Sequence, residues 1–227
     1  MKTTSAIAKG DTPRDRRTAR RAPSRGRYDR TLSPEQRKKE QRRRLLDAAA
    51  DVFALHGYAG ASVEMIIDEA GMSRRTFYEH FDDLREILLE LHDRSASLAF
   101  RFVEAAARSV DENDPVSRIR AGVSALLEII AAYPDLSRIV FREVRAAGPE
   151  HELRRDVVLG RYVALLFELF SAAYARGFVS RAPDEVTLYT LVAGMESLAM
   201  RYVARDEIGR ASEAVPALTD LVMRAFR

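Results

Sequence analysis

The side chains with the most chemical potential in this chain stand close together. Arg74, Arg75, Thr76, Tyr78 and Glu79 follow a Gly71-Met72-Ser73 corner and are interleaved with Phe77 and Phe81. A guanidinium can bond a guanine edge with two parallel hydrogen bonds or clamp a phosphate. A hydroxyl can meet a sugar-phosphate oxygen, which sets register more than base preference. Catalytic chemistry has far less to work with. The four histidines, His56, His80, His92 and His151, form no ligand-spaced set, and the chain has no cysteine. That excludes thiolate metal sites, disulfides and cysteine nucleophiles. Neither a phosphate-cradling glycine loop nor a nucleophile motif is present. The carboxylates are plentiful but scattered, so no enzyme, metal or cofactor is expected.

Charge supports a polyanionic partner at one end. Residues 1–44 carry 16 basic and 5 acidic side chains, a local excess of +11, while the remainder carries 21 and 29, an excess of −8. Such a block is either a solvated tail or a nucleic-acid contact, and composition alone does not choose. Residues 1–32 lack apolar periodicity and are expected to be a disordered basic arm. Arg14, Arg16, Arg17, Arg20 and Arg21 could enter a minor groove or attract phosphates diffusely. No apolar run is read as long enough to span a membrane, because Arg, Glu or Asp interrupts each candidate. A cytoplasmic protein with no membrane contact is expected.

These residues need a scaffold, and the pattern supplies only helices. Ser33-Pro34-Glu35-Gln36 forms a capping box with proline at the first helical position. From there Leu45, Leu46, Ala49, Val52 and Phe53 repeat at helical spacing to about His56, where Gly57 suits a left-handed cap. Ser62 caps a short helix from about Val63 to Ala70, with Val63, Ile66 and Ile67 as its apolar face. Gly71 takes the corner, Met72 plugs it, and Ser73 caps a second short helix from Arg74 to about Phe81. Phe77 and Phe81, four apart, share its inner face. A long helix follows Asp82-Asp83 and carries Leu84, Ile87, Leu88, Leu91 and Leu98 towards Ser109. Further helices are expected over Pro115 to Tyr133, Asp135 to Ala147, Pro149 to Arg176, Asp184 to Arg205 and Ser212 to Phe226. Prolines 115, 134, 149 and 183 mark the breaks. The fold class is all-α. Its divisions are the arm (1–32), a three-helix unit (33–82) and a longer helical region (83–227).

Two short helices joined by a glycine turn behind a longer one make a helix-turn-helix. Leu45-Leu46-Asp47-Ala48-Ala49, Phe53-Ala54-Leu55-His56-Gly57-Tyr58, Ser62-Val63, Glu69-Ala70-Gly71-Met72-Ser73 and Thr76-Phe77-Tyr78-Glu79-His80-Phe81 together resemble the DNA-binding domain of TetR family regulators. The likeness runs nearly gapless from about Gln41 to Leu91, and it implies a helix-turn-helix DNA-binding domain at 33–82 and a helical effector-binding and dimerisation domain at 83–227. It implies that Arg74 and Arg75 touch bases or phosphates, that Thr76, Tyr78 and His80 meet the backbone, and that Glu64 sometimes reaches a base. Ser62, Ser73 and Arg85 complete the expected DNA-binding set. The sequence departs from the family at Leu84, where a lysine is customary and Arg85 is the substitute, and at Ile67, where a small residue is common. Arg42, Arg43 and Arg44 suit phosphate contact and a solvated helix face equally.

The resemblance also implies a sequence-specific regulator, a repressor released from double-stranded, palindromic operator DNA by a small apolar or aromatic effector. A ligand-independent regulator of the same fold and a sequence-independent architectural binder are the alternatives. Tyr162, Phe167, Phe170, Tyr174 and Tyr189, with Phe178, make an aromatic-rich stretch that could line an effector pocket or simply pack core and dimer. A homodimer is expected through the last two helices. Ala193, Gly194 and Ser197 would allow close approach, amid apolar area from Leu191, Met195, Leu198 and Tyr202, and from Val215, Leu218, Leu221, Val222 and Phe226.

Overall fold

The computed structural model describes residues 33–227, so the expected basic arm and its arginines lie outside the described residues. Among the described residues the chain is all-helical, with nine α-helices and two 3₁₀ segments. They are α1 (Pro34–Gly60), α2 (Val63–Ala70), α3 (Arg74–Tyr78), α4 (Leu84–Arg108), α5 (Pro115–Ala132), α6 (Pro134–Phe141), α7 (Glu150–Ala175), α8 (Glu185–Ala204) and α9 (Val215–Arg224). The 3₁₀ segments are Glu143–Ala147 and Ile208–Ala214.

Local chemistry sets most of these boundaries. Ser33 Oγ accepts from the Gln36 amide while Gln36 Oε1 accepts from the Ser33 amide, a complete capping box ahead of Pro34. Ser62, Ser73, Asp83, Asp114 and Asp184 each accept an amide N–H three residues on, so five more helices start on side-chain caps. Gly71 ends α2 at φ 62°, ψ 42°, a left-handed cap that a Cβ would penalise. Gly57 also has positive φ (66°), but with ψ 171° it breaks α1 rather than ending it, and one more helical turn runs to Gly60.

Two expected helices are divided. Ser212 to Phe226 becomes a 3₁₀ segment and then α9, because Pro216 lacks an N–H and belongs in a helix's first turn. Asp135 to Ala147 breaks at Arg142 with no proline or glycine present. Here tertiary contact decides, since Val144 and Ala147 are drawn into the N-terminal core and Glu143 is drawn to α1.

Two main cores form. The N-terminal one joins Leu45, Leu46, Ala49 and Phe53 of α1 to Ile66, Phe77 and Phe81 and to Ile87 and Leu88 of α4. It also takes in Ile139, Val144 and Ala147, so it reaches well past residue 82. The C-terminal core packs α5, α7, α8 and α9 around Leu127, Phe170, Leu188, Val222 and Phe226.

Helix α7 corrects one expectation from sequence. At 26 residues, with a window of mean hydropathy 1.5, it is long and apolar enough to cross a membrane. The charges within it are too sparse to interrupt that window. Its buried side, including Leu159, Val163, Leu169 and Phe170, packs into the protein. Its other side carries Leu153, Val157, Gly160, Ala164, Phe167 and Tyr174, all exposed, at steps of three and four with half-buried Ser171 in register.

Candidate nucleic-acid interface and effector cavity

The outer surface of α2 and α3 is polar because their inner surface is filled. Ile66, Phe77 and Phe81 are essentially fully buried, and the Phe77 and Phe81 rings lie 5.8 Å apart. That packing forces Arg74, Arg75, Tyr78 and Glu79 outward. Arg75 is the most open of them, its side chain 90% exposed and its Nε 2.9 Å from Glu79 Oε1. Arg74 pairs with Glu64 across the two helices. Tyr78 stands half exposed with its ring edge-on to Phe77 at 5.4 Å. Thr76 hydrogen-bonds Ser73 through their hydroxyls at 2.9 Å, so Ser73 serves as both cap and outer polar group. Ser62 is likewise occupied as the α2 cap. Exposed ion pairs of this kind contribute little to stability, so both arginines can leave their carboxylates for a phosphate or base at small cost.

Two expectations change here, one at His80 and one at Arg42 and Arg44. His80 is buried, not displayed: its Nε2 lies 3.3 Å from Gln41 Oε1 and its Nδ1 has no hydrogen-bond partner. Burial, and next the nearby Arg42 charge, lower its pKa. Arg42 turns inward as a staple. It pairs with Glu90, donates to the His80 carbonyl at 2.6 Å and lies 4.3 Å over the Phe81 ring. Arg44 donates to the Ala70 carbonyl at 2.5 Å, holding the α2 end against α1, while Arg43 pairs along the helix with Glu40 and Asp47. Finally, Arg85 faces Glu150 of α7 at 3.6 Å, and Leu84 packs on the N-terminal core.

The second site is a cavity of about 270 Å³ enclosed by α4 to α8. Its walls are aliphatic, with Val123, Leu126, Ile129, Leu159, Leu165 and Val192 among them. Polar groups gather where α4, α7 and α8 meet. His92 and His151 are both buried and stand edge-to-face at 5.3 Å. Arg155 is held by Glu196 through Nε bonds of 2.8 and 2.9 Å. His92 Nδ1 is 3.2 Å from Asp93, which also pairs with Arg154. His151 Nδ1 is buried without a partner, and its pKa is lowered by burial and then by His92. No metal-type cluster is present among the described residues.

Of the aromatic residues expected to line a pocket, Tyr162 alone does so, packed edge-on to Phe100 at 5.2 Å. Burial raises its hydroxyl pKa well above the ordinary value. Phe170 is core, 4.2 Å from Phe226. Phe167, Tyr174, Phe178 and Tyr189 face outward instead. Helix periodicity identified α7 but not its inner side, since both of its faces are apolar. The cavity histidines were missed because they sit on different helices, far apart in sequence. Several residues expected at a dimer face are core residues instead. Leu218, Val222 and Phe226 are buried in the chain's own core, leaving Leu221 as the exposed large apolar group of α9. Exposed apolar side chains on α7 and α8 include Leu153, Val157, Phe167 and Tyr174 and, across from them, Val186 and Tyr189. The two helices are tied by Tyr189 Oη donating to Asp156 at 2.8 Å.

The 3₁₀ segment Glu143–Ala147 belongs to both sites. Val144 and Ala147 sit in the N-terminal core, and a Glu143 carboxylate oxygen accepts the Tyr58 amide N–H at 3.0 Å beside the Gly57 break. Arg145, on the same segment, lines the cavity and donates to the Met200 sulfur at 2.7 Å.

Residues 45–91 match the family described as bacterial regulatory proteins, tetR family. Over those residues the chain is similar to the DNA-binding part of tetR family proteins. It is 30% identical over 132 residues to the HTH-type transcriptional activator FasR of Mycolicibacterium smegmatis (strain ATCC 700084 / mc(2)155). That match spans 58% of this chain and 59% of the relative. The fold is shared with FadR, the fatty acid degradation regulator of Bacillus halodurans (TM-score 0.71, 22% identity, 81% of this chain and 94% of that one). It is shared too with the transcriptional regulator FadR of Bacillus subtilis solved in complex with stearoyl-CoA (TM-score 0.70, 18% identity, 82% and 99%). The relative is named as a transcriptional activator, and the second of these structures as a transcriptional regulator.

Proposed function

We propose that the chain is a homodimeric, sequence-specific DNA-binding regulator whose operator affinity is lowered by an effector with an acyl chain. The observation that carries this reading is the sealed α2–α3 motif, which presents Arg74, Arg75, Thr76 and Tyr78 on one outer surface. The N-terminal end of α3 enters a major groove. Arg74 and Arg75 exchange Glu64 and Glu79 for DNA, Tyr78 and Thr76 set register, and Ser62 and Ser73 add hydroxyls near the phosphates. Glu64 either releases Arg74 or accepts from a cytosine amino group.

A second copy covers the exposed apolar faces of α7 and α8. Val157 and Val186 are 60% and 77% exposed, more apolar surface than a solitary chain leaves bare without cause. Gly160 and Gly194 offer close approach, since a Cβ at either would meet nothing within 4 Å. An isologous dimer sets two recognition helices for a palindromic site. The aliphatic cavity, together with neighbours concerned with fatty acids and one holding stearoyl-CoA, supports an acyl ligand over an aromatic one.

The test is operator selection from random duplexes, followed by competition and ligand addition with the full chain. Specific complexes should survive excess random DNA at moderate salt and dissociate when palmitoyl-CoA is added. Equal loss of all DNA binding to the competitor would overturn the reading in favour of an architectural role. Specific binding that no acyl ligand alters would leave a ligand-independent regulator. A second reading of the output is favoured by the relative's name: FasR is an activator. A reporter driven from the selected operator separates repression from activation by the sign of its response.

A further inference from the structure

We propose that His151 is the anchor for the carbonyl oxygen of the acyl ligand, with Arg145 at the rim meeting the ligand's negative charge. This rests on the reading above that the cavity takes an acyl chain, and it assigns the polar end of that site. Almost every buried polar atom in a folded protein has a hydrogen-bond partner. His151 Nδ1 has none, although the residue is 96% buried and lines the cavity. Its polar neighbours are already engaged. Arg155 is bonded through its fork to Glu196, and Asp93 is shared by His92 and Arg154. What remains at this end is one buried imidazole nitrogen without a partner, beside the aliphatic walls of the cavity.

The imidazole is suited to a neutral acceptor. Burial and the adjacent His92 both disfavour its charged form, so it offers a hydrogen bond, not a full charge. An acyl carbonyl oxygen accepts such a bond, whether it belongs to a thioester or to a free acid. Charge is met separately. Arg145 is exposed, lines the same cavity and rests on the Met200 sulfur, with no carboxylate partner among the described residues. It can pair with the phosphates of a coenzyme A thioester or with the carboxylate of a fatty acid. The anchor also lies beside the Glu143–Ala147 segment, so a ligand held there presses on the element that grips α1.

The test uses the full chain and titrates palmitoyl-CoA, palmitate and S-hexadecyl-CoA, a thioether that lacks the carbonyl. Wild type should bind palmitoyl-CoA about tenfold more tightly than the thioether, the worth of one hydrogen bond in a buried site. In His151→Phe that preference should vanish while thioether binding is retained, which also shows that the variant folds. Arg145→Gln should weaken palmitoyl-CoA and palmitate several-fold at low salt, and less at high salt. The order of palmitoyl-CoA and palmitate on wild type distinguishes thioester from free acid as the source. Equal wild-type binding of thioester and thioether would overturn the anchor and leave the acyl reading intact. Loss of the thioether as well in His151→Phe would also overturn it, reducing His151 to a wall of the cavity. If wild type binds none of the three, the acyl reading itself falls.

Discussion

In the α2–α3 region every side chain with a chemical role lies outside a small sealed core, whereas in the C-terminal region the polar groups face inward around a space. Arg75 is almost wholly exposed, and its salt bridge to Glu79 is made on the same helix. His151 is almost wholly buried, and its neighbours come from α4 and α8. The difference teaches which roles are local. A recognition surface needs one short helix turned the right way, so two buried phenylalanines are enough to orient it. A cavity needs several helices held apart, and no one of them encodes it.

The largest effect expected concerns the link between two copies. Gly194→Arg places a charged side chain where a monomer has open space, so the fold should survive while the α7–α8 face is blocked. Sedimentation should give folded monomer. Operator affinity should fall by roughly a hundredfold or more, because two coupled half-sites gain at least that from linkage. Dimeric Gly194→Arg with full operator affinity would move the interface off this face.

Next in size is a contrast within the DNA-binding domain itself. Arg75→Ala should cost about 1–3 kcal/mol of operator affinity and leave the melting temperature unchanged. Tyr78→Phe should cost less and weaken all sequences uniformly. Arg42→Ala should do the reverse of Arg75→Ala. It removes the Glu90 pair, the bond to the His80 carbonyl and the stacking on Phe81, so stability should fall by about 1–2 kcal/mol. If Arg42→Ala changes affinity and not stability, the inward placement of that side chain is wrong.

How far the sequence could be read follows the same divide. Ser33, Ser62 and Ser73 marked where their helices start, and Gly71 where α2 ends, because capping is decided by a few neighbouring atoms. Arg42 and His80 were misplaced because their partners, Glu90 and Gln41, lie about forty or more residues away. The aromatic stretch on α7 misled for another reason. Phe167 and Tyr174 sit on the opposite face from Phe170, and a helix apolar all round gives no signal of which side meets solvent. The break at Arg142 had no local cause at all, only the attraction of Val144 and Ala147 for the other core.

That shared segment suggests a smaller, sharper test. Glu143→Ala removes the acceptor for the Tyr58 amide without touching the cavity lining. Palmitoyl-CoA should bind as before, but the several-fold change it makes in operator affinity should shrink. By linkage, operator DNA should then alter ligand affinity by the same reduced factor. An undiminished response would mean that coupling runs through α4 instead.

The smallest effect expected compares the two regions through one histidine each. His80 faces Gln41, Arg42, Lys38, Glu79 and Glu90; His151 faces His92, Arg145, Glu152 and Glu196. In both, burial is the leading cause of a lowered pKa. The unfolded chain therefore takes up protons near the ordinary histidine value, about pH 6.5, while the folded chain resists until lower pH. Stability is complete above that value and falls as pH drops through it, levelling once the folded groups titrate. The melting temperature should thus decline between about pH 7 and pH 5.5, before most carboxylates titrate. His80→Gln and His151→Phe should each remove part of the slope, and the double variant should remove nearly the sum, since different charged groups act on the two histidines. A slope unchanged in both variants would assign the decline to other groups, whereas strong non-additivity would show that the two histidines are coupled through the helices between them.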